Sequence, residues 1–245
     1  MGDERDITMC TRAIIARRLL CCGLAAVLTS AAAAQTPVEG PPASPGQVTA
    51  RWTASDTTCR NPAASAVDAV GACEQRDTLA KVLALAGLCH APTADRSAEV
   101  WTRCAGRSQQ EATRATSQFQ RMGGVFVLPA RLAGSTQVYF IVDSGAATVQ
   151  IPEETVVEMK RNGTLTDADF MGERRFILAD GRGMQQRVFR LRTLQIGDRT
   201  MENVLATMGA PRSRALLGQS FLRRLNWWKI DNVRNAIEFE FTGAF

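Results

Sequence analysis

Apolar and polar positions change rhythm along this chain, and the changes mark its segments. Between residues 63 and 88 apolar side chains recur at helical spacing, as at Leu79, Val82, Leu83 and Ala86. Helices are predicted over Ala63 to Val70, Glu74 to Leu88 and Ser97 to Phe119, with starts at Asn61-Pro62 and Ala94-Asp95 and a stop at Gly87. Beyond Arg121 the period shortens. Gly124 to Leu132 alternates loosely, Ala133-Gly134-Ser135 reads as a hairpin turn, and Thr136 to Val142 returns as a strand. One helix follows, from Pro152 to Asn162-Gly163, with acids in its first turn. Phe176 to Ala179 and Gln186 to Leu191 flank a Gly-rich turn, and Leu194 to Gly197 and Val204 to Met208 are further strands. Trp227 to Ile230 and Ala236 to Phe241 close the chain as a hairpin through Asp231-Asn232. Many short strands around a single helix predict a mainly β fold, a closed or nearly closed barrel.

The stretch from Val138 to Pro152 organises the rest. Tyr139, Phe140, Ile141 and Val142 run straight into Asp143-Ser144-Gly145-Ala146, and apolar residues resume at Val149 and Ile151. A carboxylate at the end of a buried strand is costly to desolvate. Gly145 allows a tight turn beside it, and the Ser144 hydroxyl can bond back to the backbone to fix that turn. An acid held on a rigid small-residue turn suits general acid or base chemistry. Serine chemistry is disfavoured: His90 is the only histidine, and no Gly-x-Ser-x-Gly elbow exists. His90 reads as a surface or loop residue.

This strand-Asp-Ser-Gly-Ala-strand pattern resembles the active-site loop of aspartic proteases. Ala215-Leu216-Leu217-Gly218-Gln219-Ser220-Phe221-Leu222 is similar to the element that packs beside that loop, so the resemblance implies that Leu216, Leu217 and Gly218 buttress it. Ala179, Asp180, Gly181, Arg182 and Gly183 resemble the tip of a flap hairpin. The elements occur in the family's order over Met122 to Phe245, and Asp-Ser/Thr-Gly occurs once. The resemblance is thus to bacterial retropepsin-like aspartic proteases of half length, with the acid protease fold. It implies that Asp143 is catalytic, that Ser144, Gly145 and Ala146 support its loop, and that peptide or protein is the substrate. Two facing carboxylates sharing one proton are needed, so a homodimer supplying one Asp143 per subunit is expected. Ser144 stands where Thr is commoner in the family, and Ala147 and Thr148 replace the acids of some viral members. The alternative from another class is a non-catalytic periplasmic peptide- or protein-binding module keeping this fold.

Residues 1–34 read as a secretory signal, with Arg12, Arg17 and Arg18 ahead of the apolar Leu19 to Leu28 and with Ala32-Ala33-Ala34 at the cleavage site. An uncleaved anchor is the rival reading. Residues 35–55 read as a flexible linker, 56–119 as a small helical region, and 122–245 as the barrel domain. Once the signal is removed, Cys59, Cys73, Cys89 and Cys104 remain, an even number that suggests two disulfides in an exported, periplasmic or secreted protein. Three connectivities are open. The cysteines are too widely spaced for a paired Cys-x-x-Cys zinc site, so no metal and no cofactor is expected. The net charge of +5 over 245 residues is spread out, without a Lys/Arg block, which argues against nucleic acid and favours acidic partners weakly. After signal cleavage no stable membrane span is expected.

Overall fold

The computed structural model describes residues 44–91, 100–104, 114–177 and 181–242. The expected signal segment lies outside the described residues, as do Ala179 and Asp180 of the expected flap tip. Among the described residues no helix is long and apolar enough to cross a membrane.

The chain opens with two helices, α1 (Pro45–Arg60) and α2 (Ala66–Leu85). The expected linker therefore ends eleven residues early: 45–55 is helix. Ser44 caps it, accepting from the Gln47 N–H at 3.4 Å while its own N–H donates to Gln47 Oε1 at 2.9 Å. Pro45 occupies the first turn, where its missing N–H costs nothing. Val48, Trp52, Ser55 and Cys59 form the buried stripe of α1. Disulfides join Cys59 to Cys73 and Cys89 to Cys104.

The expectation of helix up to residue 119 does not hold. A short antiparallel pair, β1 (Leu88–Ala91) and β2 (Val100–Arg103), follows α2. Next comes β3 (Arg114–Gln118), whose Ala115 and Ser117 are buried while their neighbours are exposed. That alternation of period two is a strand's, and pairing with the C-terminal strand overrides local helix propensity. His90 is likewise no loop residue. Its ring centroid lies on β1, 4.8 Å from that of Trp52 and 5.4 Å from that of Trp101.

The barrel comprises β4 (Gln120–Met122), β5 (Val125–Leu132), β6 (Thr136–Val142), β7 (Val149–Ile151), β8 (Phe170–Ile177), β9 (Gly183–Ile196), β10 (Arg199–Met208) and β11 (Ala215–Leu217). Helix α3 (Glu153–Arg161) follows β7, and one helical turn, α4 (Gln219–Leu222), follows β11. The sheet order is β4-β5-β6-β11-β7-β10-β9-β8. A further pairing, Leu132 with Leu194, joins β5 to β9 and makes a ring of strands. The β5–β6 turn falls at Ala133 and Gly134, both with positive φ, as hairpin turns of matching twist require. Leu128, Phe140, Val149, Ile151, Phe189 and Leu191 fill the ring. A separate sheet, β12 (Leu225–Asp231), β13 (Ala236–Phe241) and β3, adds Phe239 and Phe241 to the same core.

The helical hairpin is joined to the ring by buried charges. Arg76 contacts Asp56 at 3.2 Å and Asp77 at 2.9 Å, and Asp77 accepts from Arg224 at 2.6 Å. Arg224 also donates to the Glu202 carbonyl at 2.7 Å, and Asn203 Nδ2 donates to the Cys59 carbonyl at 2.8 Å. Arg224 lies just beyond α4, so α2 leans on the element that follows β11.

Candidate active site

Strand β11 is short because its task is local. It runs parallel to β6, pairing Leu216 with Ile141 and Leu217 with Val142, and antiparallel to β7 through Leu216 and Gln150. It thus fills the gap between the two strands that enter and leave the Asp143 loop. The Asp143 N–H donates to the Leu217 carbonyl at 3.2 Å, continuing the ladder to the acid itself.

Within the loop, Asp143 Oδ1 accepts from the Gly145 N–H at 2.9 Å, and the Ala146 N–H donates to the Asp143 carbonyl at 3.2 Å. A Cβ at Gly145 would stand 3.2 Å from Asp143 Oδ1, so glycine leaves the carboxylate its room. Ser144 behaves differently from expectation. Its side chain is exposed, and its hydroxyl makes no hydrogen bond among the described residues. The turn is closed by the Asp143 carboxylate instead.

Gly218 touches the loop more closely than any side chain could. A Cβ there would overlap the Thr148 carbonyl and lie 2.7 Å from the Ala146 oxygen. Two residues that sequence reasoning quoted but gave no role complete the clamp. Gln219 donates its N–H to the Ala146 carbonyl at 2.8 Å and its side-chain amide to the Ser144 carbonyl at 2.7 Å. Ser220, buried, accepts from the Val149 N–H at 2.8 Å and donates to the Leu205 carbonyl at 2.6 Å. Thr148 and Thr207 share a buried hydrogen bond of 3.0 Å beneath. The available signal was a polar Gln-Ser pair set inside an apolar run.

Charge separates Asp143 from the buried acids among the described residues. Asp56 is met by Arg60 and Arg76, Asp77 by Arg76 and Arg224, and Glu240 by Arg114. Asp169 is fully buried and accepts from both Arg190 at 2.6 Å and Arg192 at 2.9 Å. Burial pushes its carboxyl up, but the hydrogen bonds from Arg192, Thr166 and Arg190 outweigh that and hold it below the usual carboxylate range. Half-buried Asp143 has no cation among the described residues and accepts one backbone N–H. Asp231, the other acid weighed in the sequence, accepts from the Val233 and Arg234 N–H groups and caps a turn.

The β8–β9 hairpin spans the segment read as the flap, with Gly181 and Arg182 leading into its second arm at Gly183. Gly181 has φ +82°, which suits a tight turn. Gly183 has a different reason: a Cβ there would strike the Arg175 guanidinium, which crosses the hairpin.

The Asp143 loop is thus held between β6 and β7, with β11 between its arms and the β8–β9 hairpin following in the chain. Residues 128–224 match the family model described as gag-polyprotein putative aspartyl protease. The match runs from β5 through α4 and covers less than half of the chain. Among solved structures, the chain is similar to a retropepsin-like aspartic protease from Rickettsia conorii at 19% identity and a TM-score of 0.37. The match covers 52% of this chain and 90% of that one. No curated protein matches.

Proposed function

We propose that the protein is an exported, homodimeric aspartic endopeptidase. The observation that carries the reading is the contrast among its acids. Among the described residues every buried acid is answered by arginine, whereas Asp143 sits half-buried, without a cation, on a loop clamped by Leu217, Gly218 and Gln219. A clamped, unneutralised carboxylate is what proton transfer requires.

One such group does not complete the reaction. Two Asp143 carboxylates facing each other across a two-fold axis cannot both ionise comfortably, so they hold one proton between them. The ionised member takes a proton from a bound water as that water attacks the peptide carbon. The protonated member donates to the carbonyl oxygen, and the tetrahedral intermediate collapses with protonation of the leaving amine. The exposed Ser144 hydroxyl, without a bond among the described residues, is available to the partner's loop. Both disulfides suit an oxidising compartment, in keeping with export.

The test is cleavage of a peptide library by purified Asp143→Asn protein beside wild type. Loss of all cleavage with an unchanged melting curve supports the reading. Equal cleavage by both proteins removes Asp143 from the chemistry and the reading with it.

A further inference from the structure

The flap is unusually cationic. Across residues 170–188 it carries Arg174, Arg175, Arg182 and Arg187 against two acids, Glu173 and Asp180. Arg187 stacks over the Phe170 ring, 4.5 Å from its centroid. Arg174 and Arg175 are exposed and form no ion pair among the described residues. Elsewhere this protein pairs its sheltered charges carefully, so two unpaired arginines on one strand leave positive potential for something else to meet.

The sheet register shows where that potential points. Residues directly opposite each other on paired strands share a face. Ile141, two residues before Asp143, is opposite Leu216, and Leu216 is opposite Gln150. All three are half-buried and turn away from the barrel core, in which their neighbours Phe140, Leu217, Val149 and Ile151 lie. Gln150 Oε1 accepts from Gln186 Nε2 of the flap at 3.2 Å. Gln186 is opposite Arg174, and next along the same face Met184 is opposite Phe176. One surface therefore runs from the arm of the Asp143 loop, apolar at Ile141 and Leu216, through the Gln150–Gln186 bridge, to the Arg174 guanidinium. Arg175 belongs to the opposite face, lying across Gly183.

The geometry points to a substrate that is an extended acidic peptide, with an apolar side chain beside the cleaved bond and a Glu or Asp reaching Arg174 of the flap. This rests on the protease reading above and names its substrate class. An extended peptide rises about 3.3 Å per residue, so an octapeptide spans about 26 Å. Arg174 is a specificity residue here, since it meets a substrate side chain away from the reacting atoms.

The probes are octapeptides with Phe-Phe at the centre and Glu, Gln or Lys placed at each flanking position in turn. At one position wild type should cleave the Glu peptide about three- to tenfold faster than its Gln twin, the range of an exposed to partly sheltered ion pair, with Lys slowest. That order should flatten as salt rises towards 1 M, where the screening length is about 3 Å. Arg174→Glu should reverse it to Lys over Glu, while Arg175→Glu on the opposite face should keep Glu first; the melting temperature identifies any unfolded variant. The same peptides titrated into Asp143→Asn protein give dissociation constants without cleavage, so the two readings fail separately. Cleavage with no charge preference, a preference that survives Arg174→Glu, or equal dissociation constants for the Glu and Lys peptides would overturn the inference. Absence of cleavage alongside a clear binding preference would instead overturn the protease reading and leave an acidic-peptide binder.

Discussion

The side-chain amide of Gln219 donates to the Ser144 carbonyl at 2.7 Å, reaching back 75 residues along the chain. With its backbone N–H on the Ala146 carbonyl, Gln219 grips the Asp143 loop at two points. Its side chain forms no bond to Asp143 and so acts by position alone. Gln219→Leu should cost about 1 kcal/mol of stability, the worth of one hydrogen bond. If the clamp sets the carboxylate's placement, kcat should fall about tenfold or more with KM little changed, because geometry is lost rather than substrate contact. A variant with lower stability and full kcat would make Gln219 a structural residue only.

Gly218→Ala tests the closest packing in the site. The added methyl would overlap the Thr148 carbonyl, which belongs to backbone and cannot swing aside. Overpacking of this kind costs about 1–3 kcal/mol, at times more, so a clear drop in denaturation midpoint is expected. Gly71 in α2 is the internal control, since a Cβ there meets nothing within 4 Å. Gly71→Ala should stabilise by about 0.5–1 kcal/mol, through the helix propensity that alanine restores.

Both glycines were visible in the sequence, yet only one role was legible. Leu216-Leu217-Gly218 could be read only through its resemblance to the element that packs beside the acid loop in aspartic proteases, since it lies far from Asp143 in sequence. Gln219 and Ser220 were not, because their partners Ser144, Ala146, Val149 and Leu205 come together only when β11 enters between β6 and β7. Strand β5 was legible by its loose alternation and β6 and β7 by short apolar runs, and the β12–β13 hairpin closes at Asp231 as expected. The segment before the barrel misled for two opposite reasons. Pro45 and Gly46 gave 45–55 a linker's composition although the Ser44–Gln47 cap begins a helix. Arg114 to Gln118 has helix formers, yet its alternation is used against β13, a partner more than a hundred residues away.

Asp169 links stability to pH. Its carboxyl is held below the ordinary value in the folded protein, so the unfolded chain takes up a proton there first as pH falls. The contribution is present at neutral pH. It fades as pH drops through about 4, the unperturbed carboxylate value, and on through the lower folded value. Asp169→Asn leaves Arg190 and Arg192 without their anion and should cost about 3–5 kcal/mol at pH 7. The deficit relative to wild type should shrink in the acid range, as followed by urea midpoints between pH 7 and pH 2. A deficit independent of pH would assign the cost to packing rather than to charge.

Ser144 addresses the second subunit directly. The Asp143 loop closes without the Ser144 hydroxyl, whose oxygen is exposed and unbonded among the described residues. Ser144→Ala should therefore leave the unfolding midpoint of an isolated monomer within about 0.5 kcal/mol of wild type, as for an ordinary surface change. If two such loops meet at the symmetry axis, the lost bonds weaken association instead. Activity should then fall on dilution at a higher protein concentration than for wild type and return as concentration rises, because the two-carboxylate site forms only in the dimer. Sedimentation across the same concentrations should show the dimer dissociating in step with the activity. Excess Asp143→Asn subunits should suppress wild-type cleavage by forming pairs with one carboxylate missing. Full activity from a sedimenting monomer would send the search for the second acid back into this chain.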